Sequence, residues 1–187
     1  MAQRLVIVSD MWGTKKGLWI TSYLGYLQQY FDITFYDSQQ LANLDIQVQT
    51  EETVHQAFVN EGIDTAVAHL LKKETAPAFY LAFGTGATIV WEAAKKGLKM
   101  SYYYGVSATR IRIKEEKPNL GAYNLLYGGN DDHKPNDSWC KNLGVDVELM
   151  PNFGRTLYTD EKVIQKVCLE LLAQVTKIEK PEKKKAV

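Results

Sequence analysis

Hydrophobic residues in this chain fall mostly into short continuous runs of about five or six, rather than alternating strictly with polar residues. Runs of this length and continuity are typical of strands in a parallel sheet whose two faces are both covered by helices. The pattern predicts six buried strands, at residues 4–9, 32–36, 78–82, 100–105, 123–127 and 145–150.

Segments with helical periodicity lie between these runs, with apolar residues recurring every three or four positions. Thr50 is placed to cap a helix that opens with two acids, and Gly62 lies inside that helix, where we expect an interruption or a kink. Gly144 is expected to close a shorter helix in a left-handed cap. The predicted helices span residues 16–30, 51–71, 86–96, 136–142 and 160–176.

Strands and helices therefore alternate along the whole chain. Because right-handed crossovers between parallel strands place helices on both faces, this order predicts an α/β fold: three layers around a doubly wound, mostly parallel six-stranded sheet. Residues 1–176 are expected to form one domain, and the Lys-rich residues 177–187 a flexible tail. Residues 107–121 have no periodic pattern, and a stretch of that length is typical of a functional loop.

Composition and charge narrow the classes of function. Hydrophobic residues make up 45% of the 187, charged residues 24%, and 22 basic side chains balance 22 acidic ones. A chain without net charge has no overall field to attract nucleic acid or a membrane, so neither is an expected partner. Cys140 and Cys168 fit no disulfide framework or metal spacing, and the apolar run near the start is too short for a signal peptide. We expect a cytoplasmic protein without metal or cofactor, and self-association is left open.

The most informative segment follows the third predicted strand and reads, over residues 79–94, FYLAFGTGATIVWEAA. A buried strand that turns through small residues directly into a helix is the setting of the nucleophile elbow, G-x-S-x-G. Ala82 and Gly86 take the small flanking positions, and Gly84 stands where the nucleophile is expected. Since that position needs a positive φ, glycine suits a turn that has kept its geometry and lost its chemistry. A plain glycine-rich turn or a phosphate-binding loop fits the same residues.

Two later segments extend this pattern. Residues 125–135 read LLYGGNDDHKP, a strand followed by a G-x-x-D loop that ends in Asp131, and residues 147–155 read VELMPNFGR, a strand and loop that end in Arg155. Together with the turn at Gly84, these segments resemble the α/β-hydrolase superfamily, in particular small lidless members such as dienelactone hydrolases. The resemblance covers residues 4–176 and implies the central six strands of the family's eight, without a cap domain.

The resemblance implies a degenerate catalytic triad, with Gly84 as nucleophile, Asp131 as acid and Arg155 in the place of histidine. Glycine has no side-chain nucleophile, and arginine stays protonated and cannot act as a general base. The family's oxyanion hole uses backbone amides, here that of Thr85 and one from the loop at 10–13. Because amides do not depend on the lost side chains, the resemblance implies a remaining pocket that can hold a carbonyl or carboxylate.

Side chains at other strand ends are candidates for the same pocket. Met11 and Trp12 belong to the loop after the first predicted strand, Ser107 follows the fourth, and His133 follows the fifth. His133 could serve as a relocated base beside Asp131, and Ser107 could be a substitute nucleophile, although the sequence indicates no partner base for it. Each of these residues could equally have a purely structural role.

Five further residues have weaker claims to a site. Arg110 and Arg112 would point the same way on an extended loop and could clamp an acid, or they could simply be solvated. His55 and His69 fall within the long second helix, where we expect surface or packed residues. Asp10 ends the first strand and could belong to a magnesium site, but the flanking sequence lacks the rest of such a motif.

Three functions are consistent with these sequence features. The favoured one is an α/β-hydrolase-like pseudoenzyme that binds a small acyl or carboxylate ligand, or a protein partner, at the face of the old active site. The second is an esterase or thioesterase with a non-standard nucleophile. The third is a flavodoxin-like nucleotide binder, in which residues 84–86 would contact phosphate.

Overall fold

The sheet of this protein is entirely parallel, with the strand order β2-β1-β3-β4-β5-β6. The computed structural model describes residues 2–179. The strands are β1 (Gln3–Val8), β2 (Phe31–Tyr36), β3 (Ala78–Phe83), β4 (Met100–Val106), β5 (Tyr123–Gly128) and β6 (Glu148–Met150). The first five match the predicted runs to within one residue at each end. The predicted sixth strand at 145–150 was too long, because only three of its residues pair with β5.

Helices cover both faces of the sheet, as the alternating pattern predicts. They are α1 (Ile20–Leu27), α2 (Ser38–Leu41), α3 (Glu51–Ala57), α4 (Ile63–Lys73), α5 (Thr85–Lys95), α6 (Asp137–Leu143) and α7 (Glu161–Glu179). The helix predicted at 16–30 starts later, since residues 13–16 form a 3₁₀ turn before Gly17. The expected interruption near Gly62 is confirmed as a π-helical turn, Phe58–Gly62, between α3 and α4.

Two hydrophobic clusters lie on opposite faces of the sheet. On one face, alternate residues of the strands, such as Ile7 and Leu81, pack against α1 and α7. On the other face, Val6 and Tyr80 pack against α4 and α5. Strands buried on both sides need apolar residues at nearly every position, which accounts for the continuous runs in the sequence.

The middle of the sheet contains a run of three buried tyrosines on β4. Tyr103 donates a hydrogen bond to the carbonyl oxygen of Ala87 (2.8 Å), and Tyr104 donates to the Glu170 carboxylate (2.5 Å). Burial raises the pKa of Tyr102, Tyr103 and Tyr104 well above the usual value near 10. These side chains fill the core on both faces of the sheet.

At the chain end, α7 continues to Glu179, three residues beyond the predicted end of that helix. Residues 180–187 of the predicted tail lie outside the described residues. Among residues 2–179, no helix is long and apolar enough to cross a bilayer.

β1 and β3 are neighbours in the sheet although β2 lies between them in sequence. The chain adds β2 on one side of β1 and all later strands on the other side, so the strand order reverses between β1 and β3. In open parallel sheets, a crevice forms at the carboxyl ends of the two strands that flank such a reversal. The loops after β1 and β3, at residues 10–13 and at Gly84, meet at that point, and the turns after β4, β5 and β6 lie along the same edge.

Candidate ligand-binding site

Gly84 forms a sharp corner between β3 and α5. Its φ is 52° and its ψ is −119°, and its amide donates to the carbonyl oxygen of Val106 (2.9 Å). The predicted positive φ is therefore present, in a region that residues with a Cβ enter only under strain. The corner carries no side chain at the point where it faces the crevice.

The strand and helix on either side of this corner pass close to a neighbouring strand. A Cβ on Gly86 would lie 2.1 Å from the carbonyl oxygen of Ser9 and 2.7 Å from that of Val8, so only glycine fits there. Ala82, the other flanking position, is fully buried. The close approach of the β1 backbone therefore accounts for the glycine at position 86.

Asp131 and Arg155 come together at the ends of β5 and β6. Arg155 Nε lies 3.9 Å from Asp131 Oδ1, which also accepts a hydrogen bond from the His133 amide (2.9 Å). Asp131 is only 3% exposed, while Arg155 reaches out to the Glu51 carboxylate at 3.4 Å. The guanidinium thus connects a buried carboxylate to the first residue of α3, and it cannot accept a proton from a substrate.

Gly84 and Arg155 line one cavity of about 520 Å³, a size typical of small-molecule sites. Four of the predicted ligand contacts also line it: Met11, Trp12, Thr85 and His133. The other wall residues are Asp10, Glu51, Glu52, His55, Thr109, Arg110, Arg112, Thr156 and Tyr158.

Ser107 does not line this cavity, contrary to the expectation from its place after β4. It is buried, and its hydroxyl donates to the carbonyl oxygen of Arg155 (2.7 Å). That hydrogen bond connects the turn after β4 to the loop after β6. Ser107 therefore supports the position of Arg155 in the cavity wall without lining the cavity itself.

The loop after β1 is held in place from several directions. Asp10 Oδ1 accepts from the Trp12 amide (3.0 Å), and Gln39 Nε2 donates to the carbonyl oxygen of Met11 (2.8 Å). Asp37 Oδ2 accepts from the amide of Thr14 at 2.6 Å. Within the described residues, the Met11 amide has no hydrogen-bond acceptor, so it remains available to a ligand.

Thr85 is the first residue of α5 and presents two donors to the cavity. Neither its amide nor its hydroxyl is hydrogen-bonded to another described residue, although the residue is only 5% exposed. The first amides of a helix carry partial positive charge and have no partner inside the helix. Together with the Met11 amide, Thr85 can therefore bind a carbonyl or carboxylate oxygen.

Asp10 contributes a carboxyl group to the cavity wall, and Tyr158 donates to its Oδ2 at 2.9 Å. Burial raises the pKa of Asp10, an effect that the hydrogen bonds from Tyr158 and from the Trp12 and Gly13 amides oppose. Sequence reasoning missed this pair, because 148 positions separate the two residues. Within residues 2–179, no group of His, Cys, Asp and Glu is arranged to hold a metal ion, so Asp10 has no partners for the magnesium site considered above.

Several cationic and protonatable side chains also line the cavity: Arg110, Arg112, Arg155, His55 and His133. Arg112 donates to the carbonyl oxygen of His133 at 3.4 Å. Burial lowers the pKa of His55, and the positive charges of Arg110 and Arg155 lower it further. Arg110, Arg112 and Arg155 therefore bring positive charge to this part of the cavity, whose lining also includes the carboxylates of Asp10, Glu51 and Glu52.

His55 is a part-buried residue of α3 and lines the cavity, together with Glu51 and Glu52 of the same helix. A single sequence gives no signal for this tertiary placement. His69 does not line the cavity, and its Nδ1 bonds the carbonyl oxygen of Leu41 (2.8 Å).

Comparisons with known proteins identify the fold. No family model and no curated protein sequence matches the chain. Among solved structures, a putative dienelactone hydrolase from Klebsiella pneumoniae superposes with a TM-score of 0.67 at 13% identity, over 92% of this chain and 85% of that one. A putative α/β-superfamily hydrolase from Xanthomonas campestris gives 0.66 at 11% identity, over 92% and 99%. The protein has the α/β-hydrolase fold.

A lidless α/β serine hydrolase, also from Xanthomonas campestris, superposes with a TM-score of 0.59 at 11% identity, over 95% of this chain and 83% of that one. The six parallel strands and the helices on both faces agree with this lidless form of the fold. Identities this low establish the fold alone, and the role of each cavity residue has to be argued from its own chemistry.

Proposed function

We propose that this chain is a non-catalytic α/β-hydrolase-like protein that binds a small carboxylate or acyl compound in the cavity between Gly84 and Arg155. The observation that carries the proposal is the corner at Gly84. It has the sharp geometry needed to present a nucleophile, yet it presents only hydrogen. What is left at the corner is a pair of amide donors.

A hydrolase with a different nucleophile would need an activated hydroxyl beside the amides. Thr109 Oγ1 is near enough, since it lies 3.7 Å from the place of a Cβ on Gly84. Activation requires a base within hydrogen-bond distance, however, and in the described part of the chain neither His55 nor His133 bonds a hydroxyl through its ring. The amide donors and the guanidinium groups in the cavity wall favour binding of an anion over attack on an ester.

Calorimetric titration with butyrate tests the binding proposal. Thr85 is the first helical position, where proline is tolerated and removes only an amide that has no partner in the helix. We expect Thr85→Pro to weaken butyrate binding at least tenfold, and Thr85→Ala, which keeps the amide, to weaken it less. Circular dichroism serves to check that both variants fold. Equal binding by the parent and Thr85→Pro would refute the role of the amides.

Hydrolysis of short aryl esters tests the absence of catalysis. We expect no turnover above background by the parent protein, because no side chain at position 84 can form an acyl-enzyme. The double variant Gly84→Ser, Arg155→His restores both missing groups opposite Asp131 and is expected to show measurable turnover. Turnover by the parent at ordinary esterase rates would overturn the non-catalytic assignment and favour the esterase alternative.

A further inference from the structure

Two arginines on the turn after β4 have no role in the binding mode described so far. Arg110 and Arg112 flank the buried Ile111 and are both partly buried in the wall of the cavity. Among residues 2–179, no carboxylate lies within 4.0 Å of either guanidinium, whereas Arg155 has two such partners. Partly buried guanidinium groups without an anion are available to bind one.

The turn that carries these arginines is fixed to the corner at Gly84. The Thr109 amide donates to the carbonyl oxygen of Gly84 (3.1 Å), and the Thr88 hydroxyl donates to the carbonyl oxygen of Thr109. Arg110 itself is held with a φ of 66°, a conformation that non-glycine residues keep mainly where the surrounding structure requires it. The backbone that carries the two guanidinium groups is therefore held in place next to the corner at Gly84.

The number of donors is more than one carboxylate can use. A carboxylate accepts about four hydrogen bonds, and each guanidinium offers five N–H groups. The Met11 amide with the amide and hydroxyl of Thr85 already supplies three donors near Gly84. One carboxylate bound there leaves most donors of Arg110 and Arg112 without an acceptor.

We infer that the ligand is a small diacid, with one acidic group at the Met11 and Thr85 amides and the second at Arg110 and Arg112. This inference rests on the proposed function, since it takes the amides as the first binding point. A cavity of about 520 Å³ has room for a short carbon chain between the two groups. Arg155 lines the same cavity and offers the second group a further guanidinium.

Titration with acids of matched length tests the inference on the intact chain. We expect succinate or glutarate to bind at least tenfold more tightly than butyrate, because a second acid adds charge-assisted hydrogen bonds. The double variant Arg110→Gln, Arg112→Gln should bring the ratio of diacid to monoacid affinity close to one. Lys72→Gln removes one positive charge from an exposed helix position away from the cavity and should keep the parent's ratio.

The outcomes separate this inference from the proposed function. Equal affinity for butyrate, succinate and glutarate would overturn the diacid and leave the monoacid site standing. A diacid preference that survives in the double arginine variant would overturn the assignment to Arg110 and Arg112. If inorganic phosphate binds as tightly as glutarate and displaces it, the site holds one compact dianion and not two separated acid groups, and the diacid inference is wrong. If Thr85→Pro binds glutarate with the parent's affinity, the amide site of the proposed function is wrong, and so is the first contact of the diacid.

Discussion

At the scale of single residues, Gly84 combines the sharp backbone corner of a nucleophile elbow with the absence of a side chain. A serine, cysteine or aspartate in such a corner is strained, and the strain is tolerated in an enzyme because the side chain reacts. Glycine has no such strain, so the fold here keeps the corner at lower cost in stability. The hydrogen bonds of Gly84 to the β4 side, through its amide and its carbonyl oxygen, keep the corner in place without help from a side chain.

Replacing Gly84 by alanine should lower the free energy of unfolding by about 1–3 kcal/mol, because the Cβ would enter a strained region of φ. The Cβ would also stand 3.3 Å from Asp10 Cβ. Gly144 is the matched control: its φ is 59° and nothing lies within 4 Å of its Cβ position. Gly144→Ala should lose less stability than Gly84→Ala in urea unfolding, and equal losses would show that the corner is no more constrained than an ordinary helix cap.

His55 makes stability depend on pH in a defined direction. Its pKa in the folded protein is lowered by burial and by Arg110 and Arg155, so the unfolded chain takes up a proton first as the pH falls. The contribution of His55 to stability is therefore present above about pH 6.5 and declines below it. We expect the urea midpoint to fall less between pH 7.5 and 5.5 in His55→Gln than in the parent.

A bound anion should reverse this effect. The groups that face or adjoin the His55 imidazole are Glu51, Glu52, Arg110, Arg112, His133 and Arg155. An acid that neutralises the arginines raises the pKa of His55, which can be followed by proton NMR of its ring. No change in that pKa at saturating glutarate would show that the acid binds elsewhere.

Much of the candidate site could be predicted from the sequence, because its residues follow strand ends and the carboxyl ends of parallel strands share one edge. The resemblance to the α/β-hydrolase family pointed to Gly84, Asp131 and Arg155. Gly84 and Arg155 line the cavity, and Asp131 is buried beside Arg155. Ser107 was misplaced, since position in a turn does not fix the direction of a side chain. His55 was only a weak candidate and Tyr158 was missed, because tertiary packing alone brings them to the cavity.

At the scale of elements, the junction of β3 and α5 depends on how closely α5 passes the end of β1. The backbone carbonyl oxygens of Val8 and Ser9 occupy the space that a side chain at position 86 would need. A backbone neighbour cannot rotate away as a side chain can, so the angle between strand and helix is set by Gly86.

Gly86→Ala should therefore destabilise the protein by about 3 kcal/mol or more, at the upper end of the range for overpacking. Gly25 provides the matched control, since it is an exposed residue in α1 with nothing within 4 Å of its Cβ position. Gly25→Ala should raise the free energy of unfolding by about 0.5–1 kcal/mol through helix propensity. Chemical denaturation of both variants measures the contrast, and a mild effect of Gly86→Ala would mean that α5 can shift.

Elements with a strong periodic pattern were predicted well, and short elements were not. β3 and β4 are central strands whose burial forces nearly every residue to be apolar. In contrast, α2 has only four residues and depends on its N-cap, Asp37, whose carboxylate accepts from the amides of Gln39 and Gln40. β6 is an edge strand with one partner, so its sequence is less constrained.

At the scale of the whole molecule, ligand binding should appear as thermal stabilisation. A ligand at a hundred times its dissociation constant adds about 2.7 kcal/mol, which for a chain of this size corresponds to a rise in Tm of roughly 5–10 °C. We expect glutarate to produce such a rise and flavin or adenine nucleotides to produce none. A rise with nucleotides alone would favour the flavodoxin-like alternative, in which residues 84–86 contact phosphate.

The buried tyrosines of β4 should make alkaline unfolding of the protein visible as a change in ultraviolet absorbance. Their pKa is raised in the folded chain, so the unfolded chain releases its phenolic protons first and stability declines as the pH rises above about 10. The chain has eleven tyrosines, and exposed ones contribute to the absorbance of tyrosinate near 295 nm without unfolding. We therefore compare the parent with a variant in which Tyr102, Tyr103 and Tyr104 are replaced by Phe: the parent alone should show an additional increase that coincides with the loss of helical circular dichroism. An additional increase in the parent at constant circular dichroism would contradict this coupling, because these phenols would then ionise inside the intact sheet.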